Sequence, residues 1–217
     1  MESLSNILYW LSSGLFVPVM LGTVIMFMYA LYLTGTFYGS YKEYGKYKLN
    51  YRETVRKSTF QPLIEKLNIQ NRRKRTSEID DYIIAILKNY KSKSRMESVL
   101  NDFELAAEKK MGKYRTLAKL GPILGLMGTL IPMGPALAGL GQGDVSSMSW
   151  NMQVAFSTTV IGLFAGTIGF LLLQPRQRML ICYLTDLEVL VGNIDEYKTD
   201  NAEEYEKLEK LLTEKFN

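Results

Sequence analysis

Charge is absent from three long stretches of this chain, and their lengths set the first expectation. No Asp, Glu, Lys or Arg occurs from Ser3 to Tyr41 (39 residues), from Leu120 to Gly143 (24 residues) or from Val145 to Pro175 (31 residues). Each run exceeds the ~20 residues that a helix needs to cross a hydrocarbon core. The pattern predicts an all-α, polytopic membrane protein with three transmembrane helices at residues 14–37, 120–140 and 152–173. Tyr9 and Trp10 precede the first span and Tyr38 and Tyr41 follow it, as aromatic residues do at the two membrane interfaces. That span is expected to be retained, because no basic segment leads into it and its apolar run is too long for a signal peptide. The second and third spans are joined by a hairpin at 141–151, where Gly141, Gly143 and Asp144 are turn formers.

Basic residues set the expected orientation. Lys42, Lys46, Lys48, Arg52, Arg56 and Lys57 follow the first span, Lys109, Lys110, Lys113, Arg115 and Lys119 precede the second, and Arg176 and Arg178 follow the third. Residues 1–13 and the hairpin carry no Lys or Arg. Lys and Arg are retained on the cytoplasmic side. The expectation is therefore an extra-cytoplasmic N-terminus (1–13) and hairpin, a cytoplasmic helical segment (38–119) and a cytoplasmic C-terminal helix (174–217), in the inner membrane.

Segment 42–119 has 20 basic and 10 acidic residues and one proline, Pro62. Its apolar spacing predicts a helix over Val55–Ile69, a basic turn at Arg72–Arg75, and a helix from Ser77 with Ile79, Ile83, Ile84 and Leu87 on one face. A further helix begins at Ser94, where Ser94 and Glu97 have capping-box spacing. It continues through Val99, Leu100, Phe103, Leu105 and Ala106 towards the second span. In the acidic tail, Leu180, Leu184, Leu187, Val191 and Ile194 recur at steps of three and four, and Tyr205, Leu208 and Leu212 resume the phase. That stripe needs a partner, either the chain's own helices or further copies, and spacing does not choose between them.

Composition removes several chemistries. With no His and a single Cys182, a zinc site, a His-assisted nucleophile and a disulfide framework all lack their parts. No cofactor, no metal site and no enzymatic activity are expected. The net charge of +4 arises beside the spans, where topology explains it, so nucleic acid is not an expected partner and membrane lipid is.

Within the spans the informative residues are small or hydroxyl-bearing. Ala155, Thr158, Thr159, Gly162, Ala165, Gly166 and Gly169 share one face of the third span, and Gly121, Gly125 and Thr129 recur every four residues in the second. Such faces suit close helix packing, and they equally suit a pore or a surface for a partner helix. Pro132 and Pro135 lack N–H donors, so the carbonyls of Gly128 and Ile131 need other partners. No span holds a titratable side chain, so the chain cannot relay protons through a carboxylate of its own.

The stretch GPILGLMGTL (121–130), led into by a charged helix, and STTVIGL (157–163), beyond a short hairpin, resemble the two motifs of the MotA/TolQ/ExbB proton-channel family. The resemblance is clearest over residues 102–178. It implies a homo-oligomer, a pentamer by analogy, surrounding the transmembrane helices of a single-span, Asp-containing partner of the ExbD/TolR/MotB kind. Ion flow would then drive a membrane motor complex. Thr129 and Thr159 fall on the hydroxyl positions of the two motifs and, with Thr158, are expected on the ion pathway. Gly125, Ala155, Gly162, Gly166 and Gly169 are expected on a helix-packing or partner-helix face. Val154 stands where the ExbB and TolQ branches carry an acidic residue, which leaves H+ and Na+ both open as the ion. The alternative is a non-conducting oligomeric scaffold that acts through its cytoplasmic helices.

Overall fold

The computed structural model describes residues 2–50, 52–56 and 78–200, and every described element is helical. Helix α1 spans Glu2–Gly14, α2 Phe16–Asn50, α3 Arg52–Arg56, α4 Asp80–Lys88, α5 Lys93–Gly141 and α6 Val145–Asp200. Three helices are long and apolar enough to cross a membrane, lying within 7–49, 93–141 and 145–196. The protein is membrane-embedded.

The helices outrun the charge-free stretches. Lys, Glu and Arg are good helix formers, so a helix that leaves hydrocarbon has no reason to stop there. Residues 3–13, expected only as a segment ahead of the first span, form most of α1, which a single turn at Leu15 separates from α2. Pro18 falls in the first turn of α2, where its missing N–H removes no intrahelical bond. The hairpin is tighter than the expected 141–151. Only Gln142–Asp144 lie outside helix, with Gly143 at φ +76° and Asp144 Oδ1 accepting from the Ser147 N–H at 3.0 Å to cap α6.

The chain divides into two compact units, residues 1–37 with 111–175 and residues 38–110 with 176–217. In the first, α2 supplies Ala30 and Leu33, α5 Tyr114 and Leu117, and α6 Ala165 to one buried cluster, with Met26, Ile168 and Leu172 packed around it. In the second, Ile79, Ile83, Ile86 and Leu87 are completely or almost completely buried, as are Met96, Phe103, Leu187, Leu190 and Ile194. Leu180, Leu187, Val191 and Ile194 of the acidic stripe are thus buried within their own chain, while Leu184 is half-buried. Leu105 departs from its expected buried phase and is 66% exposed. Helix α5 starts one residue before Ser94, with the Ser92 carbonyl accepting from Arg95 and Met96, so Ser92 takes the capping position. The expected helix over 55–69 (beyond Arg56), the turn at 72–75 and the stripe at 205–212 lie outside the described residues.

Candidate functional site

The antiparallel pair α5 and α6 meets along a seam of glycines at backbone-to-backbone distance. A Cβ at Gly162 would stand 2.6 Å from Gly125 Cα and 2.7 Å from the Gly121 carbonyl oxygen. One at Gly121 would stand 2.6 Å from Gly166 N, and one at Gly169 2.6 Å from Ala118 N. At Gly166 it would collide with the Pro122 ring. Ala155 and Ala165 are buried beside this line. The stripe expected as a packing or partner-helix face is therefore occupied, over Gly125, Ala155, Gly162, Gly166 and Gly169, by the other helix of its own hairpin.

Prolines and threonines complete the seam. Pro132 deprives the Gly128 carbonyl of its helical donor. The Thr158 hydroxyl replaces it at 2.9 Å, and the Ala155 and Val154 carbonyls lie at 2.9 and 3.1 Å as competing acceptors for the same proton. A Cβ on Gly128 would lie 2.6 Å from that hydroxyl, so the glycine and the threonine fit as a pair. Thr158 is 5% exposed, and the structure places it inside the seam with its hydroxyl committed, not on an open wall. The sequence signal that identifies its partner is the i, i+4 relation of Gly128 to Pro132.

Thr159 and Thr129 sit differently. The Thr159 hydroxyl lies 3.2 Å from the Gly125 carbonyl and 3.1 Å from that of Ala155, and Thr129 donates to its own helix at the Leu126 carbonyl, 2.7 Å. Both residues are half-buried. With about 100° between successive residues, Thr129 is rotated one way from Gly125 and Leu124 the other, as are Thr159 and Val154 from Ala155. Because the helices run antiparallel, rotations of the same sign open on the same side of the seam. The Leu124 side is covered by α2, where Leu124 Cδ1 would lie 3.7 Å from a Cβ at Gly22. The two threonines share the flank that α2 leaves open.

These residues lie in a stretch matched by a known family, the MotA/TolQ/ExbB proton channel family, over residues 67–181, which is 115 of 217 residues. The chain belongs to this family. No curated protein and no solved structure matches it. The matched region includes both motifs, 121–130 and 157–163, and so contains the whole glycine seam.

The family match also reaches into the second unit, where charges are arranged around few carboxylates. Glu78 accepts from Lys110 Nζ at 2.8 Å and from Arg176 at 3.1 Å, and Arg176 is 4% exposed. Burial alone would raise the Glu78 pKa, but the Lys110 hydrogen bond and the Arg176 charge together hold it below the usual value. Further along α6, Asp186 is completely buried. It accepts from the Tyr47 hydroxyl at 3.1 Å and is ion-paired with Arg52 Nε at 3.3 Å. Tyr183 places its ring edge-on to Tyr47, with centroids 4.9 Å apart. Asp186 was missed in the sequence, although it lies on the same helical ridge as Tyr183 and Leu190.

Proposed function

We propose that this chain is the channel-forming subunit of an ion-driven membrane motor complex. It assembles as a homo-oligomer, a pentamer by family analogy, around the transmembrane helices of an ExbD/TolR/MotB-like partner in the inner membrane. The N-terminus and hairpin face outward and the C-terminal helix lies in the cytoplasm. The observation that carries this reading is a pairing of two facts. The spans contain no titratable side chain, and the only flank of the glycine seam left open by α2 carries the hydroxyls of Thr129 and Thr159.

A transported proton needs a group that binds and releases it, and a transported ion needs polar substitutes for its water. In this reading the partner helix supplies the carboxylate, and Thr129 and Thr159 orient water or ion beside it. Thr158 holds the hairpin closed. The glycine seam keeps the two helices rigid, so that the threonines face the partner at fixed spacing.

The test is H+ or Na+ uptake into vesicles. This chain alone is expected to conduct little, and addition of a single-span, Asp-containing partner should produce flux. With the partner present, Thr129→Val and Thr159→Val should lower uptake while leaving the oligomer intact, and the Ser replacements should retain more of it. Strong uptake by the chain alone would overturn the need for a partner carboxylate. Absence of uptake from an assembled complex would favour the non-conducting scaffold.

Orientation has a separate test. Ser146 is exposed beside the hairpin, so Ser146→Cys should react with an impermeant maleimide in intact cells, whereas Cys182 should react only after permeabilisation. The opposite pattern would invert the topology.

A further inference from the structure

Between α2 and α6, on the flank of the hairpin away from Thr129 and Thr159, the first unit contains a cavity of about 380 Å³. Met20, Leu21 and Val24 line it from α2, and Trp150, Gln153 and Ile161 from α6. Leu21 and Val24 are 58% and 53% exposed, so the cavity opens outward between them. Thr23, also on its wall, has turned its hydroxyl back to the Met20 carbonyl at 2.7 Å, which leaves an apolar surface there. All of this lies in charge-free sequence, so the medium outside the opening is lipid.

We infer that this cavity is a binding site for one acyl chain of a phospholipid. Two features select a lipid chain over a helix. Helices in membranes associate through small residues that let their backbones approach. The glycines and alanines here are already spent on the α5–α6 seam, whereas the cavity wall is made of bulky Met, Leu, Val, Ile and Trp side chains that keep another backbone at a distance. A thin, flexible hydrocarbon chain fits where a helix does not. The wall is also polarised along α6: Trp150 and Gln153 stand nearer the hairpin and Ile161 two to three turns deeper. An exposed amide and an indole N–H at one end, with hydrocarbon at the other, match the ester and tail of a lipid in that order. The inference depends on membrane embedding and not on the channel reading.

Trp150 makes it measurable, because the chain's other tryptophan, Trp10, can be removed. In a Trp10→Phe background purified in detergent, phosphatidylcholine with brominated acyl chains is titrated into the micelles at low mole fraction and Trp150 fluorescence is followed. The expected result is saturable quenching that unbrominated phosphatidylcholine reverses. Ile161→Phe and Val24→Phe fill the cavity and should weaken the apparent affinity about tenfold, corresponding to the loss of roughly two buried methylene groups. Val160→Phe, on an exposed face, should leave it unchanged. Quenching that rises in proportion to mole fraction without saturating, or that is equal in the filled variants and the parent, is contact with bulk lipid and overturns the site. A Trp150 shielded from every brominated lipid in a dimer would show a second copy in the cavity and overturns it too. If the filled variants fail to fold, as read by circular dichroism, saturation and competition in the parent still decide.

Discussion

Gly162→Leu should prevent the α5–α6 hairpin from closing, and even Gly162→Ala should destabilise it measurably. The added Cβ would meet Gly125 Cα at 2.6 Å and the Gly121 carbonyl oxygen at 2.7 Å, both backbone atoms, so no side-chain rotation relieves the contact. The helices must separate, which also lengthens the Thr158 bond to the Gly128 carbonyl and the Thr159 bond to that of Gly125. Overpacking of this kind costs about 1–3 kcal/mol for one methyl group. In a chain of this size that corresponds to a fall in melting temperature of roughly 2–12 °C. Gly134 supplies the control, because it lies in the same helix α5 with nothing within 4 Å of its would-be Cβ. Gly134→Ala should be neutral or stabilising by up to about 1 kcal/mol through helix propensity. Thermal unfolding in detergent, followed by circular dichroism, compares the two. Equal shifts would mean that the close approach at Gly162 does not hold the hairpin together.

The legible and the hidden parts of this fold divide along a physical line. The three spans could be read because hydrocarbon imposes a demand on sequence, some twenty residues free of charge, that few other settings impose. Helix ends could not be read the same way. Charge marks where the membrane stops, but Lys109, Lys113 and Arg115 continue α5 without interruption, and Arg176 and Arg178 do the same for α6. The small-residue stripe was visible as a period, whereas its partner was a matter of three-dimensional pairing. Spacing allowed a foreign helix at Gly162 and Gly166, and the hairpin itself takes that place. Thr158 shows the same limit more finely. The carbonyl freed by Pro132 was evident from sequence, but which hydroxyl reaches it depends on the register of two helices. In the acidic stripe, periodicity marked Leu187 and Ile194 for burial correctly and could not say that α6 buries them in its own chain.

Asp186 is the residue whose removal should cost the second unit most. Its carboxylate is completely buried, the Tyr47 hydroxyl donates to it at 3.1 Å, and Arg52, only a quarter exposed, sits at 3.3 Å. Asp186→Ala would strand a hydroxyl and a largely buried guanidinium together, and breaking a buried pair in this way costs about 3–5 kcal/mol. The quarter of Arg52 that reaches solvent places the expectation near the lower end of that range. Asp186→Asn keeps an acceptor for Tyr47 while losing the charge, and should fall between. Tyr47→Phe should cost about 1–2 kcal/mol for the lost hydrogen bond.

The same cluster sets an alkaline limit. Burial, first, and then the Asp186 charge and hydrogen bond push the Tyr47 pKa far above its ordinary value, and burial with a hydrogen bond to Cys182 pushes Tyr44 up to about 12. A tyrosine whose pKa is higher folded than unfolded contributes stability that is whole below the unfolded value, about 10, and is lost as pH rises above it. Wild-type melting temperature should therefore hold from pH 8 to 10 and fall beyond, and Tyr47→Phe should start lower and fall less steeply. An Asp186→Ala protein within about 1 kcal/mol of wild type would remove the buried pair from the account of what holds this unit together. An unchanged alkaline slope in Tyr47→Phe would show that its hydroxyl is not the group that titrates.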